Sequence, residues 1–240
     1  MAGQLRLDKY LADMGLGSRS EIKEWIRKGR VKLNETVCNK PESKVIVGVD
    51  LVRFDNQSVG YVQNQYIMLH KPAGVVSATN DNVSKTVLDL ITDRMSKDLF
   101  PVGRLDKDTE GLLLITNDGD LAHRLLSPKK HVDKVYYAKV NGRVTQEDKD
   151  AFLKGVDIKD EELTMPAVLN ILISDDISEI ELTLQEGRFH QVKRMFKAVG
   201  KEVIYLKRLS MGTLVLDPNL KPGEYRELTE QELSELKKRT

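Results

Sequence analysis

The sequence predicts an α+β protein in which a small N-terminal domain precedes a larger domain with a mixed, mainly antiparallel β-sheet flanked by helices. Apolar residues recur at helical spacing near the start of the chain, and short strand-like segments with turn-forming residues follow them. Further along, strand-like and helix-like segments lack the regular alternation that is typical of a parallel sheet. A polar stretch separates the two parts, so we expect a domain at 1–60, a linker at 61–65 and a second domain at 66–240.

The N-terminal domain is predicted to begin with two helices. The second helix begins at Ser18, because Glu21 three residues later completes a capping box, and Gly29 suits its C-terminal cap. Short strands with turns at Asn34 and near Pro41 are expected to follow it. The first helix is predicted from apolar residues three and four apart, which are Leu5, Leu7, Tyr10, Leu11 and Met14.

The larger domain is predicted to contain strands and helices in an irregular order. Its first strand, 66–70, stops at a turn formed by Lys71-Pro72-Ala73-Gly74. The other predicted strands are 112–116, 135–141, 167–173 and 179–184, and the predicted helices are 86–94, 119–126, 145–153, 190–199 and 229–238.

Overall composition excludes several classes of protein. The 38 Lys and Arg residues balance the 37 Asp and Glu residues, so net charge does not identify a partner. The single cysteine, Cys38, cannot form an intramolecular disulfide. No apolar run approaches the roughly 18 residues of a membrane span, and the start of the chain lacks a signal-peptide pattern. We therefore expect a cytoplasmic protein with no membrane association.

The distribution of charge is more informative than its sum. Between residues 19 and 32, six basic residues accompany two acidic ones. A solvated helix face is one interpretation, but the cluster continues past a glycine turn onto a strand, where it could contact an RNA phosphate backbone. A second basic cluster, at 186–208, has seven basic and two acidic residues and suits the same kind of contact. The predicted RNA-contacting residues of the first cluster are Arg19, Arg27, Lys28, Arg30 and Lys32.

Residues 4–50 resemble the S4 RNA-binding domain. The Ser-Arg-Ser-Glu start of the second helix, the exit Gly29-Arg30-Val31 and the turn at Asn34 occur in the order found in that domain. This resemblance implies structured RNA as the partner and implies no chemistry.

The stretch GRLDKDTEGL, residues 103–112, has unusually many charged groups in a turn before an apolar segment. Its acidic spacing is that of an EF-hand, but Asn117 stands where the bidentate Glu should be. An aspartate-nucleophile phosphatase would need an apolar strand before Asp106, and that strand is missing. A solvated acidic turn suits Asp108 and Glu110 better than Asp106, which follows a tight turn and Arg104.

The same stretch resembles the hallmark of RNA pseudouridine synthases, Gly-Arg-Leu-Asp-x-x-Thr-x-Gly-Leu, at all seven of its specified positions. Other family motifs follow the family's order at 70–74, 134–136 and 186–195. Together with the N-terminal module, the resemblance covers nearly the whole chain and is to the branch typified by the small-subunit ribosomal RNA enzyme. It implies that a uridine is flipped out of its RNA helix and isomerised to pseudouridine.

The resemblance also implies roles for individual residues. Asp106 is expected to be the nucleophile or base, and Tyr136 is expected to stack on the uracil and assist proton removal. Because Asp106 must stay ionised in a pocket that excludes water, we expect a cation beside it, first Arg188 and then Lys193 or Arg194. No cofactor is implied, and the scattered histidines with one cysteine give no metal spacing. The other expected substrate-binding or RNA-binding residues are Lys71, Arg104, His190, Gln191, Lys193 and Arg194.

Two hypotheses of function, from different classes, therefore remain. One is a synthase, expected to be a monomer, that acts on 16S ribosomal RNA, free or in an assembling small subunit, or alternatively on 23S RNA. The other is a non-catalytic RNA-binding factor for ribosome assembly. The presence of Asp106, Tyr136 and Arg188 together favours the enzyme, because a binding protein needs no carboxylate facing phosphate. The sequence does not decide among attack at the sugar, addition to the uracil and elimination through a glycal.

Overall fold

The computed structural model describes residues 3–61, 64–92 and 98–238. These residues divide into two compact units. The first contains the described residues up to Gln65 together with Thr92, Asp98 and Leu99. The second contains Tyr66–Ile91 and the described residues from Phe100 onward.

The first unit packs two helices against short strands. A buried cluster contributed by both helices and by three of the strands forms its core. The described strands form a four-stranded antiparallel sheet of order β3-β2-β5-β6 and a separate pair, β1-β4. In chain order the elements are β1 (Gln4–Arg6), α1 (Leu7–Asp13), α2 (Arg19–Arg27), β2 (Val31–Leu33), β3 (Thr36–Val37), β4 (Lys44–Ile46), β5 (Val52–Phe54) and β6 (Gln57–Val59).

Local sequence signals fix the second helix but not the start of the first. The capping box at α2 is confirmed, since the Ser18 backbone N–H donates to Glu21 Oε2 over 2.8 Å and the Ser18 hydroxyl accepts from the Glu21 N–H. The predicted first helix is wrong at its start, because Leu5 lies in β1 and pairs with Val45 of β4. Tyr61, the first residue of the predicted linker, contacts the first unit, because its hydroxyl donates a hydrogen bond to Asp13 Oδ2. The predicted linker residues 62 and 63 lie outside the described residues.

The described strands of the second unit form a nine-stranded mixed sheet. Its order is β11-β12-β10-β13-β9-β7-β15, with β14 on β13 and β8 on β9, and the β13–β9 pairing is parallel whereas the others are antiparallel. The predicted fold class is confirmed. The elements are β7 (Tyr66–Lys71), β8 (Phe100–Pro101), β9 (Glu110–Thr116), α3 (Gly119–Leu126), β10 (Lys134–Asn141), α4 (Gln146–Lys154), β11 (Val168–Ile173), β12 (Ile177–Leu184), α5 (Gln191–Ala198), β13 (Glu202–Met211), β14 (Leu214–Val215), β15 (Tyr225–Glu227) and α6 (Glu230–Lys238).

Several elements of this unit differ from expectation, and the short strands β8, β14 and β15 are not among the predicted ones. The ten-residue strand β13 begins within the second basic cluster and is not among the predicted strands, because Arg208 breaks the apolar pattern although it is only 2% exposed. The predicted helix at 86–94 is a 3₁₀ turn at Val87–Leu90, capped by Thr86, and Ile91 is already extended. Residues 93 and 94 of that prediction lie outside the described residues. No described helix is long and apolar enough to cross a membrane.

A glycine lets β9 and β13 come close enough to pair in parallel. Gly111 has φ of +107°, and a Cβ atom there would lie 2.2 Å from the backbone oxygen of Arg208. Arg208 and Gly111 are partners in the parallel register. The glycine therefore fixes where the loop at 103–109, which enters β9, meets the centre of the sheet.

Candidate active site

The loop that carries Asp106 is held by hydrogen bonds from the segment after β7. Ser77 Oγ donates to the Leu105 carbonyl over 2.9 Å and accepts from the Leu105 N–H over 3.1 Å. The Gly74 N–H donates to the Lys107 carbonyl over 2.7 Å. These contacts fix the backbone on both sides of Asp106. Sequence reasoning missed Ser77, because a lone serine in a turn gives no signal of a partner 28 residues away.

Lys71 holds the same loop from inside the protein. Its side chain is fully buried, and Nζ donates to the carbonyls of Thr109, Pro72 and Lys107 over 2.8, 3.0 and 3.3 Å. Burial lowers the pKa of Lys71 to about 8, although the acidic groups of the loop act in the opposite direction. The predicted contact of Lys71 with RNA is therefore wrong: the residue supports the loop and does not reach the surface.

The loop opens onto a pocket that contains all three predicted catalytic residues. Asp106 comes from the loop, Tyr136 from β10, and Arg188 from the turn before α5. Tyr136 is buried, with 8% of its surface exposed. The apolar part of the lining comes from Leu105, Leu184, Val192 and Leu206, and the remaining lining residues are Arg104, Thr109, Gly187, His190 and Gln191.

The cation beside Asp106 is Lys193 and not Arg188. Lys193 Nζ lies 3.4 Å from Asp106 Oδ2, and His190 Nε2 lies 3.6 Å from Asp106 Oδ1. Lys193 also donates to both carboxylate oxygens of Asp108, over 2.6 and 2.8 Å, and this bond holds the pKa of Asp108 below its usual value. The site therefore has a carboxylate with a lysine on one side and an imidazole on the other.

The guanidinium groups of Arg188 and Arg194 bind acceptors within the protein. Arg188 donates to Glu186 Oε2 over 3.0 Å and to the Glu162 and Leu163 carbonyls over 2.8 Å each. Arg194 pairs with Asp160 at 2.5 Å. The expectation that Arg188 is the first neighbour of Asp106 is thus corrected. Both arginines instead hold the segment at 158–163 against the turn before α5 and its helix, because that segment supplies carbonyls and a carboxylate that accept from them. The local sequence around the arginines does not reveal these acceptors.

Gln191, a predicted substrate-binding or RNA-binding residue that lines the pocket, uses its side-chain amide within the turn before α5. It is 4% exposed, its Nε2 donates to Glu186 Oε1 over 2.7 Å, and its Oε1 accepts from the Arg188 N–H over 2.9 Å. Glu186 also accepts from the Met165 N–H over 2.9 Å. Glu186, which sequence reasoning did not select, is therefore the central acceptor of this turn. Two predicted RNA-contacting residues, Arg104 of the loop at 103–109 and His190 of this turn, are exposed at the pocket.

Three of the predicted RNA-contacting residues of the first unit have side-chain partners within that unit. Arg30 pairs with Asp55, and its guanidinium lies 5.2 Å from the Trp25 ring centroid and 4.6 Å from that of Phe54, so it packs on its own unit. Lys32 donates to Asn56 and Lys28 pairs with Glu24. Arg19 and Arg27 are exposed. Arg19 lines a concave surface with residues that sequence analysis did not select, namely Arg6, Asp8, Lys9 and Lys23.

Metal ligation has no support in the described part of the chain, where no group of three or more His, Cys, Asp or Glu side chains is placed to hold an ion. Among the residues that line the pocket, Asp106 is the one carboxylate.

Comparison with known proteins identifies the family of this fold and pocket. The family model described as RNA pseudouridylate synthase matches residues 65–198, and the S4 domain model matches residues 5–51. The chain belongs to the RNA pseudouridylate synthase family. Asp106, Tyr136 and Arg188 all lie within the matched range of the synthase model.

Individual relatives of the pseudouridylate synthase family match over nearly the whole chain. An RNA pseudouridine synthase of Bacillus subtilis is 49% identical over 231 residues, which are 95% of this chain and 97% of the relative. The ribosomal small subunit pseudouridine synthase A of Escherichia coli is 38% identical, over 96% of this chain and 99% of its own. A crystal structure of a pseudouridylate synthase superposes with a TM-score of 0.68 at 38% identity, covering 97% and 99% of the two chains.

Proposed function

We propose that this pseudouridine synthase isomerises a uridine of 16S ribosomal RNA, with Asp106 as the group that reacts with the nucleotide. The observation that carries the proposal is the pocket lined by Asp106 and Tyr136, with the cation Lys193 placed 3.4 Å from the Asp106 carboxylate. The small-subunit substrate is supported by relatives named as small-subunit synthases at 38% identity over nearly the full chain.

The reaction exchanges one glycosidic bond for another and one C–H bond for an N–H bond. The N1–C1′ bond breaks, the uracil turns, C5 joins C1′, the C5 hydrogen leaves as a proton, and N1 gains a proton. A carboxylate can assist the first step as a nucleophile or the last as a base. Asp106 is the carboxylate that lines the pocket, and Lys193 Nζ lies 3.4 Å from its Oδ2 atom.

The other pocket residues have complementary tasks. The Tyr136 ring and the leucines beside it form an apolar wall on which a uracil can stack. Arg104 is exposed at the pocket and makes no ion pair within the described residues, so it can contact the phosphate of the flipped nucleotide. His190 stands beside Asp106 at the mouth of the pocket.

Tritium release tests this proposal. The C5 hydrogen must leave during isomerisation, so 16S RNA with tritium at C5 of uridine should release label with wild-type protein and not with Asp106→Asn. Naked 16S RNA and partly assembled small subunits are compared, and 23S RNA is the matched control. Release from 23S RNA alone would overturn the small-subunit assignment. Absence of release from every RNA, with RNA still bound, would favour the non-catalytic assembly factor.

A further inference from the structure

Beside the pocket, the side chain of Phe189 is unusually open to solvent. It is 74% exposed, and it is the only exposed aromatic among the five Phe, seven Tyr and one Trp, all of which lie in the described residues. An aromatic ring of this size gains much from being covered, so its exposure next to a reacting carboxylate requires an explanation.

The ring is held in place and is not a loose surface group. Phe189 stacks on His190 with centroids 3.8 Å apart and planes inclined by 19°. His190 lies 3.6 Å from Asp106 and has a left-handed backbone with φ of +49°. The Phe189 carbonyl accepts from Arg194 Nη1 over 3.1 Å, and Arg194 is itself anchored on Asp160. One face of the phenyl ring therefore rests on His190 while most of the side chain stays accessible.

Base flipping creates a need that such a ring can meet. When one base leaves an RNA stack, its neighbours lose a stacking partner, and this loss is part of the cost of flipping. Proteins that bind unpaired RNA offset such losses with aromatic platforms. We propose that Phe189 is a second base-binding position, which stacks on an unpaired nucleobase adjacent to the uridine held in the pocket. This inference rests on the proposed function, because the pocket must hold a flipped nucleotide.

Stacking has a signature that separates it from a charge contact. A ring carries no charge, so its removal should weaken binding by the same factor at every salt concentration. Removal of a phosphate-binding cation should instead make the salt dependence shallower. Arg104, exposed at the same pocket, provides that contrasting variant.

The experiment measures RNA affinity in an Asp106→Asn background, so that no turnover occurs. The probe is 16S RNA, titrated over a range of salt concentrations. Adding Phe189→Ala should weaken binding by about 5- to 150-fold with an unchanged slope. Phe189→Tyr and Phe189→Trp should retain affinity, whereas Phe189→Leu should not. Leu172→Ala, which removes a 48% exposed apolar side chain on the edge strand β11, is the control and should change nothing.

Three results would overturn the inference. They are unchanged affinity in Phe189→Ala, full affinity in Phe189→Leu, or an effect on the rate of tritium release in the Asp106-containing protein without an effect on binding. The last would mean that Phe189 only positions His190. Failure of the proposed function is distinguishable, since it would appear as wild-type protein that binds RNA without releasing tritium, whereas the affinity comparison needs no turnover.

Discussion

Two lysines approach the loop of Asp106 from different elements, and the structure uses them differently. Lys71, the last residue of β7, is fully buried and donates to three backbone carbonyls. Lys193, on α5, keeps 26% of its side chain exposed and pairs with the carboxylates of Asp106 and Asp108. The first lysine holds the backbone of the loop, and the second lies beside the carboxylates of the loop. Position in a motif therefore does not reveal a role; burial and partner do.

Of the two lysines, Lys193 is expected to have the larger effect on activity. Lys193→Met removes the cation beside Asp106, so the single-turnover rate of tritium release should fall by about 10²- to 10³-fold. Lys193→Arg should recover part of the rate, and stability should change little because the lysine is partly exposed. Arg188→Met is the matched comparison and should cost less activity, since Arg188 donates to Glu186 and to carbonyls of 162–163. An Arg188 effect larger than that of Lys193 would reverse this assignment.

Substitution of the buried Lys71 should lower mainly the stability of the protein. Lys71→Met leaves buried carbonyls without a donor, so the free energy of unfolding should fall by about 2–4 kcal/mol. Urea denaturation measures it, and Lys197→Met, at an exposed lysine of α5, is the control. A Lys71→Met protein as stable as the wild type would show that the three carbonyl contacts contribute no net stability.

A smaller effect should appear in the pH dependence of stability. The pKa of Lys71 is about 8 in the folded protein and 10.5 for an unperturbed lysine. Between these values the unfolded chain binds more protons than the folded one, so the contribution of Lys71 to the free energy of unfolding rises with pH. The stability difference between wild type and Lys71→Met should thus widen from pH 8 to about 10.5. A difference that narrows over this range would contradict the burial of this amine.

Features set by neighbouring residues could be predicted from the sequence. The capping box of Ser18 and Glu21 involves residues three apart, and the structure confirms it. The ten-residue stretch around Asp106 singled out that residue through its resemblance to the synthase motif, and the structure brings Asp106 into one pocket with Tyr136 and Arg188. The overall class followed from the irregular order of strands and helices.

Features set by distant partners could not be predicted. Arg208 is a buried residue of β13 whose Nε donates to the Leu112 carbonyl, 96 residues away in sequence. Arg188 similarly binds carbonyls 25 and 26 residues away. In each case a basic residue in the sequence suggests a contact with RNA. In the fold, backbone carbonyls within the protein accept its hydrogen bonds instead.

The most direct test of the central claim compares two aspartates of one loop. Asp106 lines the pocket, whereas Asp108 has a 71% exposed side chain and serves as a partner of Lys193. Single-turnover tritium release from 16S RNA is measured for Asp106→Asn and Asp108→Asn, with enzyme in excess. We expect Asp106→Asn to lose at least about a thousandfold in rate and Asp108→Asn to lose much less. Comparable rates for the two variants, or near-wild-type release by Asp106→Asn, would contradict the assignment of Asp106 as the reacting group.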